Sequence, residues 1–222
     1  METFDSFYQR ALTNKGSVRQ LEVLLPQAKS PKELVALTGD RYLSEMAKCI
    51  FRSGFVWKIV ENKWPDFETV FYSFNPKVNA AMSDEKLEQL ASDKRIIRHL
   101  KKIEAVRENA RFIVNTAENR GSFGHLIAEW PDDDVVGLLV YLKKNGSRLG
   151  GHTGQYFLRF VGKDTFIFSQ DVVRALVQAG VVVKEPTSQR DMLKAQEFFN
   201  SLRQESGRPL CQISRILAAS VS

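Results

Sequence analysis

Residues 142–162 read LKKNGSRLGGHTGQYFLRFVG, and no other stretch restricts the fold as much. A helix carrying Val135, Leu138, Leu139 and Leu142 ends in a basic turn, a glycine-rich hairpin follows, and a second helix opens at once. The first N–H groups of that second helix have no partner within it and point into the hairpin. Helix N-termini of this kind hold anions, phosphate especially. Lys143, Lys144 and Arg148 add positive charge on the approach. The stretch therefore reads either as a grip on a nucleic-acid backbone or as an ordinary turn between two helices. A formal net charge of +6 over 222 residues suits an anionic partner without requiring one.

Around it the periodicity is helical throughout, and the fold class is all-α. Phe4, Phe7, Tyr8 and Ala11 share a face; Gly16 stops that helix and Ser17 caps the next. Ser30-Pro31 is a helix start after a short linker. Leu43, Met46, Ala47, Ile50 and Phe51 form one apolar stripe, broken at Gly54, with a new helix from Val56-Trp57 through Val60. Trp64-Pro65-Asp66 predicts a turn. Phe67, Val70, Phe71 and Phe74 then keep helical spacing up to Asn75-Pro76, and a cap-like start stands at Ser83. The longest regular stretch is predicted over 95–119. Asp132, Asp133 and Asp134 form an acidic helix start, favourable at the positive end of the dipole. Later helices are predicted over 170–183, with Gly180 as the stop, and over 188–205 and 209–219. Val181-Val182-Val183 alone could be a strand, and it has no partner run.

Several classes are disfavoured. Cys49 and Cys211 are the only cysteines, so a disulfide-stabilised secreted domain is a poor fit and a reducing, cytoplasmic setting is expected. The first residues lack the apolar run of a signal peptide, and no stretch approaches the ~20 apolar residues of a membrane span. His99, His125 and His152 have no ligand spacing with the cysteines, so no metal is expected. A chain of this length holds one sizeable core or two small helical lobes sharing a cleft.

Three blocks carry a resemblance: Gly54-Phe55-Val56-Trp57; Phe74-Asn75-Pro76-Lys77-Val78-Asn79-Ala80-Ala81-Met82; and Ile96-Ile97-Arg98 continuing to Lys102-Ile103, Ala105 and Asn109-Ala110-Arg111. With the hairpin, including Gly150 and Thr153, they resemble the DNA-3-methyladenine glycosylase I family of the helix-hairpin-helix DNA glycosylase superfamily. The resemblance covers roughly residues 42–162. It implies a two-lobed fold with a cleft, a central lobe at about 41–162 including the hairpin, and a second lobe from 1–40 and 163–222. It also implies base-excision repair as a nucleoid-associated monomer on double-stranded DNA: an alkylated purine is flipped out and its N-glycosidic bond hydrolysed. No cofactor is implied beyond a monovalent cation at the hairpin backbone. The chemistry is consistent, because the target atom lies inside the stack and an oxocarbenium-like sugar is helped by a carboxylate.

Residue by residue, Trp57 corresponds to the family's base-stacking tryptophan; as sequence alone it reads sooner as a core residue at a helix start. Phe55 is a wedge for the duplex or plain packing. Cys49 stands where the family has its base-reading Glu, and it can neither carry that charge at neutral pH nor accept hydrogen bonds as well. Glu45, one turn earlier on the same face, is the alternative carboxylate, or a solvent-facing one. Asp171 stands at about the superfamily's catalytic Asp, in a register that also admits Ser169, and an N-cap would equally account for it. His152 occupies the hairpin position at which strand-cleaving relatives carry a Schiff-base Lys, which points to a monofunctional hydrolase. A non-catalytic DNA-binding relative is the alternative that the missing Glu keeps open.

Overall fold

The computed structural model describes residues 2–221, and among these there are fourteen α-helices and no strand. In chain order they are α1 (Phe4–Lys15), α2 (Val18–Glu22), α3 (Pro31–Ala36), α4 (Gly39–Arg52), α5 (Trp57–Val70), α6 (Pro76–Ala80) and α7 (Asp84–Ser92). There follow α8 (Leu100–Arg120), α9 (Phe123–Glu129), α10 (Val135–Asn145), α11 (His152–Val161), α12 (Gln170–Gln178), α13 (Gln189–Ser206) and α14 (Leu210–Ala219). No helix is long and apolar enough to cross a membrane. The chain divides into two compact units. One comprises Met1–Lys29, Pro131–Leu138 and Gly162–Ser222, the other Ser30–Trp130 and Leu139–Val161.

In the first unit, α14 packs against α1, α12 and α13. Phe7 meets Phe198 edge-on, and Phe166 stacks on Phe199 at 4.5 Å. Pro209, the residue before α14, has no side chain able to cap it. The Asp164 carboxylate does so instead, accepting the N–H groups of Leu210 (2.9 Å) and Cys211 (2.8 Å). In the second unit α8 is central, packed by α4, α6, α7 and α9. The expected caps form: Ser17 on α2, Ser30 with Glu33 as a capping box on α3, Ser83 on α7 and Asp134 on Gly137 N–H at 3.0 Å.

Three expectations need correction. Helix α5 runs through Pro65, where a turn was predicted. A mid-helix proline costs about 3 kcal/mol, which is offset by burying Val60, Trp64, Phe67 and Val70 on one face, with Trp64 stacked on Phe67 at 5.0 Å. Residues 95–99 lie outside α8, although Ile96 and Ile97 are buried. There the Asp93 carboxylate accepts the Arg95 N–H at 2.9 Å, and Lys63 of α5 donates to the carbonyls of Lys94 and Arg95, both at 2.9 Å, so one local side-chain bond and two from another helix replace helical ones.

The third correction falls after Phe71, where Tyr72, Ser73 and Phe74 take φ of 53°, 51° and 56° in place of continued helix. Left-handed backbone costs non-glycine residues roughly 1–2 kcal/mol each. Asn79 holds the turn, donating from its buried amide to Phe71 O (2.7 Å) and Asn75 O (2.8 Å), and Arg41 donates to Ser73 O at 3.0 Å. Ser73→Gly is expected to stabilise the protein by about 0.5–1 kcal/mol in urea unfolding, the relief exceeding the added chain entropy. A lower unfolding midpoint would contradict a strained turn.

Candidate active site

Helix α4 ends at Arg52, and residues 53–56 make an exposed turn before α5 opens at Trp57. The turn and the start of α5 expose Phe55, Val56, Trp57 and Ile59, an apolar cluster larger than isolated surface residues would give. Helix α11 presents His152, Tyr156 and Phe160 at i, i+4 and i+8 on one face. Together with Cys49, Arg52, Thr153 and the turn they line a cavity of about 420 Å³, a size typical of small-molecule pockets.

Trp57 is 43% exposed and belongs to this wall, not to the core. Its ring meets Tyr156 (5.4 Å, 88°) and Phe160 (6.1 Å, 75°) edge-on, and the Arg52 guanidinium lies 5.0 Å from its centre. Such a contact shows a ring face that already accepts a flat cation. Phe55 is 40% exposed beside it, with the Lys102 ammonium 4.6 Å from its ring centre.

Cys49 is buried in the cavity wall, and its thiol donates to the Glu45 carboxylate at 3.6 Å. Burial pushes the thiol pKa well up, and the Glu45 charge adds to the effect, so the group remains neutral at physiological pH. Glu45 also lies 3.6 Å from Arg52. Arg52 is held in turn by Glu61, which accepts from its Nε at 3.0 Å and from a second, shorter bond. Glu45 is part-buried and is not a wall residue; it reaches the cavity through Cys49 and Arg52.

The hairpin between α10 and α11 is clamped from α8. The fully buried Asn109 amide donates to Ser147 O at 3.0 Å and accepts Ser147 N–H at 2.8 Å. Arg148 takes a positive φ of 59° and donates from Nε to Lys101 O at 3.1 Å, so part of its guanidinium anchors the loop. A Cβ at Gly154 would stand 2.4 Å from Leu149 O, so only glycine lets the first turn of α11 close on the hairpin. Lys143 and Lys144 are exposed in the last turn of α10, facing the negative end of its dipole.

Asp171 lies in the first unit, on the first turn of α12. Ser169 is the N-cap, its hydroxyl accepting the Val172 N–H at 3.3 Å. Capping therefore does not account for Asp171, which pairs only loosely with Arg174 at 3.7 Å.

Solved structures now place this architecture. The 3-methyladenine DNA glycosylase I of Staphylococcus aureus superposes with a TM-score of 0.50 at 24% identity, over 56% of this chain and 77% of that one. The 8-oxoguanine DNA glycosylase of Methanocaldococcus jannaschii gives 0.58 at 17% identity, over 93% and 89%. The fold is that of the helix-hairpin-helix DNA glycosylases. Residues 38–137 match the methyladenine glycosylase family. DNA-3-methyladenine glycosylase 1 of Escherichia coli K12 is 32% identical over 101 residues, 45% of this chain. The chain spans about half the length of that curated relative, 48%.

Of the residues singled out in the sequence, Cys49, Phe55, Trp57, His152 and Thr153 thus meet in one cavity, with Lys143, Lys144, Arg148 and Gly150 on the adjoining hairpin. Tyr156 and Phe160, which complete the wall, carried no signal beyond their spacing. Asn109 and Lys102 carried one, since both are fixed letters of the third block. Asn109→Ala is expected to cost about 2 kcal/mol in urea unfolding, by removing two buried hydrogen bonds at the hairpin. A change below about 0.5 kcal/mol would show that the hairpin does not depend on the clamp.

Proposed function

We propose that the protein is a monofunctional DNA glycosylase that turns an alkylated purine of the 3-methyladenine kind out of the duplex and hydrolyses its N-glycosidic bond. The observation that carries this reading is a single cavity joining an exposed tryptophan turn to the first turn of the hairpin's second helix. A gripped backbone thereby lies next to a base-sized recess. Lys143, Lys144, Arg148 and the N–H groups near Gly150, His152 and Thr153 hold phosphates. Phe55 fills the gap left in the stack, and the flipped base lies against Trp57, whose ring suits the positive charge of an N-alkylated purine.

Cys49 is the polar side of the recess. Its one thiol hydrogen goes to Glu45, which supplies negative charge from behind it. Asp171 stabilises the cationic sugar as the bond breaks, and water completes the hydrolysis. With His152 in place of a hairpin lysine, no amine is available there to form a Schiff base, so the strand is left intact.

Incubation with methylated duplex DNA should release free 3-methyladenine or 7-methylguanine. Asp171→Asn should slow release about 100-fold or more, and Trp57→Ala should slow it while leaving affinity for undamaged DNA unchanged. Salt-sensitive binding with no base released would reject the enzyme and leave a damage-binding protein. Arg148→Glu should weaken binding to every duplex alike and flatten the log–log salt dependence by roughly 1–2 units. Sequence-dependent loss, or no loss, would reject the phosphate grip.

A further inference from the structure

Lys102 is the one lysine of α8 whose side chain is buried. Its ammonium donates to Ser53 O at 2.6 Å and to Phe51 O at 3.3 Å, two of the carbonyls left open where α4 ends. The same ammonium lies 4.6 Å from the ring centre of Phe55. One cation therefore fixes the end of α4, the path of the turn and the wedge side chain. Residues 53–57 have no other buried polar anchor from outside their own segment among the bonds described.

Resting on the reading of this turn as the base pocket, we propose that Lys102 is a positioning residue that sets Phe55 and Trp57 at their working distance from the hairpin. Burial first, and the Arg148 guanidinium second, hold its pKa below the ordinary lysine range.

Lys102→Met removes the donors and keeps most of the apolar stem. Single-turnover base release from methylated duplex should fall about 30-fold or more, because a small misplacement of a reacting site is amplified in rate. Affinity for undamaged duplex should stay within about threefold, since the hairpin charges are intact. Ile103→Val, the adjacent buried position, controls for general loosening of α8 and should leave release within about threefold.

Release by Lys102→Met as fast as by Ile103→Val, or an equal loss of undamaged-DNA affinity, would overturn the proposal. If Lys102→Met does not fold, Lys102→Gln, which keeps a donor on a shorter arm, should give an intermediate loss; wild-type release from it overturns the proposal equally. Absence of release by the wild-type chain rejects the glycosylase reading alone. The readout is then the fluorescence rise of 2-aminopurine beside an abasic-site analogue, which reports unstacking by the wedge. Its loss in Lys102→Met supports the role of Lys102, and an unchanged rise sinks it.

Discussion

Two buried polar side chains on one helix organise the second unit's surface. Lys102 and Asn109 are seven residues apart on α8, hence two turns and about 10.5 Å along its axis. Lys102 reaches the carbonyls that end α4, and Asn109 both gives to and takes from the backbone of Ser147. Neither the turn nor the hairpin has regular structure of its own to fix it. Each borrows rigidity from a helix that α4, α6, α7 and α9 already surround. Leaving such groups unpaired would cost the desolvation of buried carbonyls and amides, so the loops are held where the helix holds them.

Much of this was legible in the sequence, for physical reasons that differ by region. Helix starts with a hydroxyl or carboxylate cap, such as Ser17, Ser30, Ser83 and Asp134, announce themselves because the cap is local chemistry. The hairpin was readable because its glycines and basic residues are consecutive. Pro65 misled because its local penalty is real but smaller than the gain from an aromatic face that only the tertiary fold reveals. The left-handed turn at Tyr72–Phe74 was hidden for the converse reason: its stabilisers, Asn79 and Arg41, come from other segments. A helical spacing of apolar residues also hid the loop at 95–99, where Ile96 and Ile97 are buried without being helical.

The site divides in the same way. Trp57 and the hairpin could be named individually, but nothing in their spacing says that one cavity joins them. Its closure depends on Tyr156 and Phe160, whose rings meet Trp57 because α11 packs against α4 within the second unit. Cys49 was visible as a departure from the family pattern. What the geometry adds is its company: a neutral thiol bonded to Glu45, and two carboxylates, Glu45 and Glu61, set against Arg52 and Lys48. The polar side of the recess is thus a balanced cluster and not a lone acid.

The half-exposed rim of Phe55, Val56, Trp57 and Ile59 has a consequence for the free molecule. Such a rim is adhesive towards any apolar surface, including its own copy on a neighbouring molecule. A net charge of +6 keeps copies apart at low ionic strength. Salt shortens that repulsion to about 10 Å at 0.1 M while leaving the rim as greasy as before. The colloidal behaviour of the protein and its hold on a polyanion are therefore governed by the same surface charge, and the ions that loosen the second also bring the rims within reach of one another.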